Sequence, residues 1–373
     1  MHRRIFSAPG RVEIGGNHTD HQHGRVLAAA INLHTKCYAK PNGTNIVKIN
    51  SDGFGESAAN LESLAVNPEE YGKTSALIRG VAAWFNSHGY KTGGFDAEVY
   101  SDVPGGAGLS SSAAFEVMIG NVFKYLFESD VSALDIAIAG QYAENVYFGK
   151  PCGLMDQTAS SFGGLCMIDF LNPDLPQVTA IEADFTGYSI CVVKTGTSHE
   201  DLTADYALIP DEMKSAAKFF GEEYLRDVDA QTFYGSIGQM KSISDRAKLR
   251  AFHFFGENER VLKQAQALKN GDMREFFSLV KQSGFSSFMY LQNIYSASNP
   301  KRQELALALA LSDKILNGTG AYRVHGGGFG GTILAFVPDK LKDEYEKTMN
   351  GVFGAKSCIF LSVRKEGGVE VVL

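Results

Sequence analysis

Glycine and serine are concentrated in one short segment, Pro104-Gly105-Gly106-Ala107-Gly108-Leu109-Ser110-Ser111-Ser112-Ala113. It follows residues 95–103, whose alternating apolar and polar side chains predict a strand, and we expect a helix to begin within the serines. Glycines let a backbone approach a phosphate closely, a helix start supplies free N–H groups, and serine hydroxyls can bind phosphate or Mg²⁺. This order favours a phosphate-binding loop. It is not a GxxxxGK[ST] loop, and a tight turn with a capping serine is the alternative.

A second glycine-rich segment, Gly326-Gly327-Gly328-Phe329-Gly330-Gly331, contains the spacing GxGxxG. A dinucleotide-binding loop requires a helix after these glycines, whereas residues 332–337 (TILAFV) are typical of a strand. We therefore reject dinucleotide binding here. Five glycines exceed what a turn needs, so we favour a loop that lines a ligand over a plain hairpin turn.

Three histidines and one aspartate lie within His18-Thr19-Asp20-His21-Gln22-His23. A metal site of the HxHxDH type would need a histidine at position 16, where the chain has Gly16. We therefore favour a polar loop that holds a hydroxylated substrate, and a solvated loop is the alternative for His21 and His23. Asp156, within Cys152-Gly153-Leu154-Met155-Asp156-Gln157, would by itself be interpreted as a helix cap.

The elements that must position these residues form two patterns along the chain. The first part is rich in predicted strands and the second in predicted helices, with the change near residues 180–195 and no Pro- or Ser-rich linker between them. Helices are predicted at 74–88 and 131–148, and residues 200–316 are predicted to be mainly helical, with long segments near 242–268, 272–290 and 300–316. Strands are predicted within 24–50 and 164–195, and at 95–103, 322–325, 332–337, 358–363 and 369–373.

Composition limits the classes of partner. The chain has 373 residues, 44% hydrophobic and 21% charged, and a formal net charge of −7, which argues against an extended nucleic-acid surface. Its five cysteines form no CxxC pair, so a disulfide framework or structural zinc is not expected, and reduced thiols favour a cytoplasmic location. No apolar run approaches the 18 residues or so of a membrane span.

Together, these segments resemble the galactokinases, a family of the GHMP small-molecule kinases. Arg11-Val12-Glu13-Ile14-Gly15-Gly16-Asn17-His18-Thr19-Asp20-His21 is similar to the family signature RVNLIGEHTDY. The loop PGGAGLSSSAA, the segment PCGLMDQ and Arg323-Val324-His325 with its glycines resemble the other family motifs. The segment 250–261 fits a weaker helical pattern. The motifs follow the family's order across residues 8–337.

The resemblance implies an α/β (α+β) fold of two domains, residues 1–184 and 185–373, with mixed sheets packed by helices and the active site in the cleft between them. It implies transfer of the γ-phosphate of ATP to the anomeric C1 hydroxyl of galactose, giving galactose 1-phosphate and ADP, with Mg²⁺ as cofactor. The implied partners are the sugar and ATP, without nucleic acid or membrane. The oligomeric state stays open, and a monomer is compatible with the sequence.

The same resemblance implies roles for single residues. Asp156 matches the catalytic aspartate and Arg11 the arginine that orients it. Residues 105–112 match the phosphate cradle, and Ser112 and Glu144 match the Mg²⁺ ligands. The sugar-contacting positions are Asn17, His18, Asp20, Gly153 and Tyr206.

This chain departs from the family pattern mainly near the sugar. Asn17 replaces the family's Glu, Glu13 its Asn, His21 its Tyr and His325 its Thr. Loss of a carboxylate at position 17 would reduce repulsion of an anionic sugar, which makes galacturonate the main rival to galactose. Arabinose kinase and a non-catalytic sensor of sugar and ATP are further alternatives. The intact Ser111-Ser112-Ala113-Ala114, with Asp156 and Arg11, argues against the sensor.

Overall fold

The computed structural model describes residues 3–53, 55–196 and 203–372, which form two β-sheets packed by helices. The strands are β1 (Arg4–Gly15), β2 (Arg25–Pro41), β3 (Ile46–Ser51), β4 (Gly55–Asn60), β5 (Phe95–Ser101), β6 (Leu165–Asp169), β7 (Gln177–Ile181), β8 (Tyr188–Lys194), β9 (Ala321–His325), β10 (Thr332–Pro338), β11 (Cys358–Leu361) and β12 (Val369–Val371). The helices are α1 (Thr74–Ser87), α2 (Ser111–Leu126), α3 (Ala133–Tyr142), α4 (Met155–Phe162), α5 (Thr203–Lys218), α6 (Ala230–Ser236), α7 (Asp245–Lys269), α8 (Met273–Ser286), α9 (Glu304–Leu316) and α10 (Lys342–Phe353). Among these helices none is long and apolar enough to cross a membrane.

The first sheet is built around the long strand β2. Its strand order is β12-β1-β2-β5-β3-β4, and β6 and β7 extend it from the first half of β2. Among the strands that the structure describes in this sheet, β3 and β5 pair in parallel and the other pairs are antiparallel. Residues 26–31 (VLAAAI) are buried without a break, because this part of the strand is covered on both faces.

The second sheet has the order β11-β8-β10-β9 and is antiparallel throughout. The glycine-rich loop 326–331 connects β9 to β10 in a hairpin, with His325 opposite Thr332. A strand follows the glycines, as the sequence predicts, and the dinucleotide-binding geometry is absent from this segment.

The two sheets share one hydrophobic core. Val12 and Leu27 of the first sheet belong to the same buried cluster as Val192 and Leu334 of the second and Phe276 of α8. The end of the chain also returns to the first sheet, where β12 pairs with β1. The division into domains at residue 184 stays a prediction.

Most predicted elements are present, and the mixed α/β fold class is confirmed. The predicted helix 131–148 is α3 continued by a π-helical turn at Ala143–Phe148, and the predicted helix 272–290 is α8 continued by a π-helical turn at Ser287–Leu291. The elements β1, β4, α4 and α10 were not predicted. In β1, Pro9 and Gly10 interrupt the alternation on which a strand prediction depends.

Candidate active site

The site begins on β1, where Arg11 and Glu13 lie on the same face of the strand. A β-bulge between Pro9 and Arg11 lets the loop 105–110 approach the strand, and the Arg11 N–H donates to the Leu109 carbonyl at 3.1 Å. Gly10 is required here because a Cβ would come within 2.7 Å of that carbonyl oxygen. The strand thus carries Arg11 to the end of the phosphate-binding loop.

Arg11 and Asp156 form a bidentate ion pair. The Arg11 Nε and Nη2 donate to the two carboxylate oxygens of Asp156, each at 2.6 Å. Nη1 of Arg11 donates to the Gly108 carbonyl, and the Ser110 hydroxyl donates to Asp156. Burial raises the pKa of Asp156, but the Arg11 guanidinium and the Ser110 hydroxyl outweigh it, so the pKa lies below the ordinary 3.8. Asp156 is therefore a carboxylate at neutral pH.

Asp156 lies in the first turn of α4, but it does not cap that helix. The N-cap residue is Leu154, which makes no capping bond. Ser110, the N-cap residue of α2, also makes no capping bond. Both polar groups are directed at the site, so the capping alternatives for these residues are wrong.

The loop 105–110 has the open backbone that a phosphate site needs. Gly106 and Gly108 have φ values of 68° and 67°, and Ser110 is also left-handed at φ 57°. No atom lies within 4 Å of a Cβ built at Gly105 or Gly106, so this part of the loop faces open space. A left-handed serine costs about 1–3 kcal/mol, and here it directs the hydroxyl to Asp156.

The predicted magnesium ligands face each other. The Ser112 hydroxyl lies 3.4 Å from Oε1 of Glu144, and Gln157 Nε2 donates to Oε2 at 3.1 Å. One hydroxyl and one carboxylate suit Mg²⁺, which takes few protein oxygens and completes its shell with phosphates and water. The donor set therefore fits the ion. No cluster of three or more His, Cys, Asp or Glu residues suited to a metal occurs in the part of the chain that the structure describes.

Lys150, which the sequence reasoning missed, contacts the same carboxylate. Its Nζ lies 3.0 Å from Oε1 of Glu144, and the side chain lines a cavity together with Asp156. Burial lowers the pKa of Lys150, but Glu144 outweighs burial and raises it above 10.5. A charged ammonium thus lies beside Glu144, a predicted Mg²⁺ ligand, at the wall of the cavity. In the sequence, the one feature that could have indicated Lys150 is its position directly after the helix break at Gly149.

The cavity beside Asp156 has a volume of about 220 Å³ and contains every predicted sugar-contacting position. Its lining residues are Arg11, Glu13, Asn17, His18, Asp20, Lys150, Pro151, Cys152, Gly153, Met155, Asp156, Tyr206, Gly326 and Gly327. Gly153 lies against Asp20, and a Cβ at this position would displace the Asp20 carboxylate. Tyr206 of α5, 49% exposed, lies at the cavity with its ring centroid 5.1 Å from that of His18. Pockets of this kind, mostly preformed with convergent polar groups, are typical small-molecule sites.

The histidines of the loop 16–24 are neutral. His18 Nε2 lies 3.0 Å from the Gly327 carbonyl, so this nitrogen is the donor, and its Nδ1 accepts from His21 Nε2 at 3.2 Å. Burial lowers the pKa of both rings, His18 and His21, to about 3. His18 is buried and His21 partly buried, and the hydrogen bond between them favours a packed loop over the solvated-loop alternative for His21.

Asn17 is fully buried, and its side chain is saturated by protein partners. Nδ2 donates to Glu13 Oε1 at 3.0 Å and to the Gly326 carbonyl at 2.7 Å. Oδ1 accepts from Asn293 at 2.9 Å and from the Ser287 hydroxyl at 3.3 Å. Asn17 thus joins the cavity wall to the glycine-rich loop.

Helix α7 holds the loop 16–24 from behind. His253 Nε2 donates to the Asn17 carbonyl at 2.8 Å, and Glu257 accepts from the Gly16 N–H at 3.0 Å. Asn258 accepts from the Arg25 N–H at 2.9 Å. Burial raises the pKa of Glu257, but the surrounding positive charges, Arg260 foremost, and the Ser283 hydroxyl together outweigh it and lower the pKa to about 2. These polar residues of α7 account for the weak pattern in segment 250–261.

Two family descriptions match the chain. Residues 76–164 match the "GHMP kinases N terminal domain", and residues 2–41 match the "Galactokinase galactose-binding signature". The galactokinase of Actinobacillus pleuropneumoniae is 33% identical over 353 residues, which cover 91% of this chain and 88% of that protein. The galactokinase of Glaesserella parasuis is 32% identical, with 98% and 94% covered.

Solved structures support the fold. The Lactococcus lactis galactokinase complexed with galactose has a TM-score of 0.85 at 24% identity, with 99% of this chain and 95% of that chain covered. The Methanococcus jannaschii mevalonate kinase has a TM-score of 0.69 at 16% identity, with 97% and 98% covered. On the sequence matches, together with this fold, the chain belongs to the galactokinase family of the GHMP kinases.

Proposed function

We propose that this protein transfers the γ-phosphate of ATP to the anomeric C1 hydroxyl of galactose, giving galactose 1-phosphate and ADP. The observation that carries the proposal is the Arg11–Asp156 pair, joined by Ser110 where the phosphate loop meets the sugar-sized cavity. One carboxylate would then lie between the proposed phosphate site and the proposed site for a hydroxylated ligand.

In the proposed reaction, the sugar hydroxyl attacks the γ-phosphorus and the bond to the β-phosphate oxygen breaks. Asp156 lies beside the hydroxyl and takes its proton or stabilises it electrostatically. Because the pKa of Asp156 is below 3.8, it acts through position more than through basicity. Arg11 fixes both oxygens of Asp156, and the N–H groups of residues 105–112 hold the phosphates.

The metal would be held by Ser112 and Glu144. When bound, Mg²⁺ neutralises phosphate charge and orients the β- and γ-phosphates. Lys150, next to Glu144, adds a second positive charge at the phosphate side of the cavity. Asn17, His18, Asp20, Gly153 and Tyr206 would form the sugar side. The five free cysteines support a cytoplasmic location.

The test is ADP release with Mg²⁺ and ATP against galactose, galacturonate, arabinose, glucose and N-acetylgalactosamine. We expect galactose to be turned over best. The matched variant Asp156→Asn keeps the shape but removes the charge, and should lower kcat by at least ~100-fold while ATP binding persists. Best turnover of another sugar, or an unchanged rate in Asp156→Asn, would contradict the proposal. ATP binding without turnover of any sugar would favour the sensor.

A further inference from the structure

A buried carboxylate that the family resemblance does not assign to the sugar site lines the cavity. Glu13 is only 4% exposed, and Oε1 accepts from Arg323 at 2.7 Å and from Asn17 at 3.0 Å. Among the described residues, Oε2 has no hydrogen-bond partner. Burial raises the pKa of Glu13, and the Arg323 guanidinium opposes that effect.

The partner of Glu13 is hidden from the cavity. Arg323 is fully buried and is not among the cavity-lining residues, whereas Glu13 is. A ligand in the cavity therefore meets the carboxylate and not the guanidinium. A buried ion pair of this kind leaves one free acceptor oxygen facing the ligand.

Asn17, in contrast, has no free hydrogen-bonding capacity. An amide can donate two hydrogen bonds and accept two, and Glu13, Gly326, Asn293 and Ser287 use all four. A ligand could bond this side chain only by displacing one of these partners.

The two positions are exchanged relative to the family signature, RVNLIGEHTDY. The signature has Asn at position 13 and Glu at position 17, whereas this chain has Glu13 and Asn17, and the two side chains are bonded to each other. The carboxylate has therefore not been lost from the cavity. It has moved to strand β1, and Asn17 has become the group that fixes it.

We propose that Glu13 is a specificity-determining residue: its Oε2 accepts a hydrogen bond from a sugar hydroxyl remote from the phosphorylated one, and its charge excludes sugars that carry a carboxylate. The inference rests on the proposed function. Positions 11 and 13 are two residues apart on one regular stretch of β1, about 6–7 Å along the strand. Arg11 holds Asp156 at the reacting hydroxyl, so Glu13 reaches the opposite part of the sugar ring.

The experiment compares the wild-type enzyme with Glu13→Gln, which keeps the shape and an acceptor oxygen but removes the charge. Galactose, its monodeoxy analogues and galacturonate are measured by kcat/KM and, without ATP, by calorimetric binding. For the wild-type enzyme, we expect kcat/KM to fall ~10–100-fold with one analogue, which lacks a hydroxyl remote from C1. We also expect the wild-type enzyme not to bind galacturonate. For Glu13→Gln, kcat/KM with that deoxy sugar should be only a few-fold lower than with galactose. Galacturonate should bind to Glu13→Gln at least ~10-fold more tightly than to the wild-type enzyme.

A second variant provides a test that does not depend on the folding of Glu13→Gln. The exchange Glu13→Asn with Asn17→Glu returns the carboxylate to position 17, so galacturonate should still bind poorly, and its melting temperature shows whether it is folded. Glu13→Gln that discriminates against deoxy sugars and galacturonate as strongly as wild type would overturn the assignment, whatever the turnover. A wild-type enzyme that binds galactose but transfers no phosphate would overturn the proposed function, and the calorimetric comparison of Glu13→Gln with wild type would still decide the Glu13 assignment.

Discussion

Ser132 and Ser110 both precede helices, and their hydroxyls have different partners. Ser132 begins α3 and accepts from the Asp135 N–H at 3.1 Å in a capping box. Ser110 begins α2 and donates to Asp156 without capping anything. The same residue type in the same local context is thus structural at one helix and part of the active site at the other.

This difference predicts opposite effects of the same substitution. Ser110→Ala removes a hydrogen bond that lowers the pKa of Asp156, so we expect kcat to fall ~10-fold or more while the melting temperature changes little. Ser132→Ala removes a cap, and we expect a loss of about 1 kcal/mol in the free energy of unfolding with kcat unchanged. Steady-state kinetics and thermal melts of both variants check this. If the two variants showed the same changes in kcat and melting temperature, the different roles assigned to Ser110 and Ser132 would be wrong.

The roles of these residues differ in how far the sequence could predict them. The phosphate loop was predictable from residues alone because its glycines and serines are contiguous. Asp156 was not, because its partner Arg11 is 145 positions away, and only the family resemblance connected them. Glu13 was noted only as a departure, since its role depends on Arg323, 310 positions away.

At the scale of elements, α7 determines the shape of the sugar loop 16–24. The helix was predictable from its periodicity, but which face meets the loop was not, because that face is polar. His253, Glu257 and Asn258 are buried or partly buried polar residues that bond the backbone of that loop and of Arg25. The strand β1 was not predicted because Pro9 and Gly10 interrupt its alternation of apolar and polar residues. The same irregularity lets the phosphate loop approach the strand.

The α7 support predicts a selective loss of sugar affinity. His253→Ala leaves the Asn17 carbonyl without its donor at a buried position, which costs about 1–3 kcal/mol. We expect KM for galactose to rise ~10-fold and KM for ATP to stay within about twofold. Gln266→Ala, on the exposed side of the same helix, is the matched control and should leave both constants and stability unchanged. A parallel rise of both KM values would show that His253 supports the whole fold and not the loop.

At the scale of the whole molecule, buried neutral histidines tie stability to pH. Burial lowers the pKa of His18 and His21 to about 3, and also lowers that of His253 and His325. These rings connect the sugar loop, α7, β1 and the second sheet. In the unfolded chain they take up protons near pH 6.5, which the folded chain does not.

The sign of the pH effect follows from this difference. Because the unfolded state binds more protons below pH 6.5, the free energy of unfolding falls as pH decreases from 6.5 towards 3. For a single histidine such as His21, the loss at pH 5 is about 2 kcal/mol. Urea unfolding between pH 7.5 and 5 measures it. In His21→Gln, we expect the decrease in the free energy of unfolding between pH 7.5 and 5 to be smaller by about that amount. The control His34→Gln, outside the sugar loop, should show the same decrease as the wild type. If the free energy of unfolding of His21→Gln depends on pH just as that of the wild type does, the His21 ring is protonated in the folded protein below pH 6.5. The hydrogen bonds from His21 to His18 and from His18 to the Gly327 carbonyl, which require neutral rings, would then be wrong.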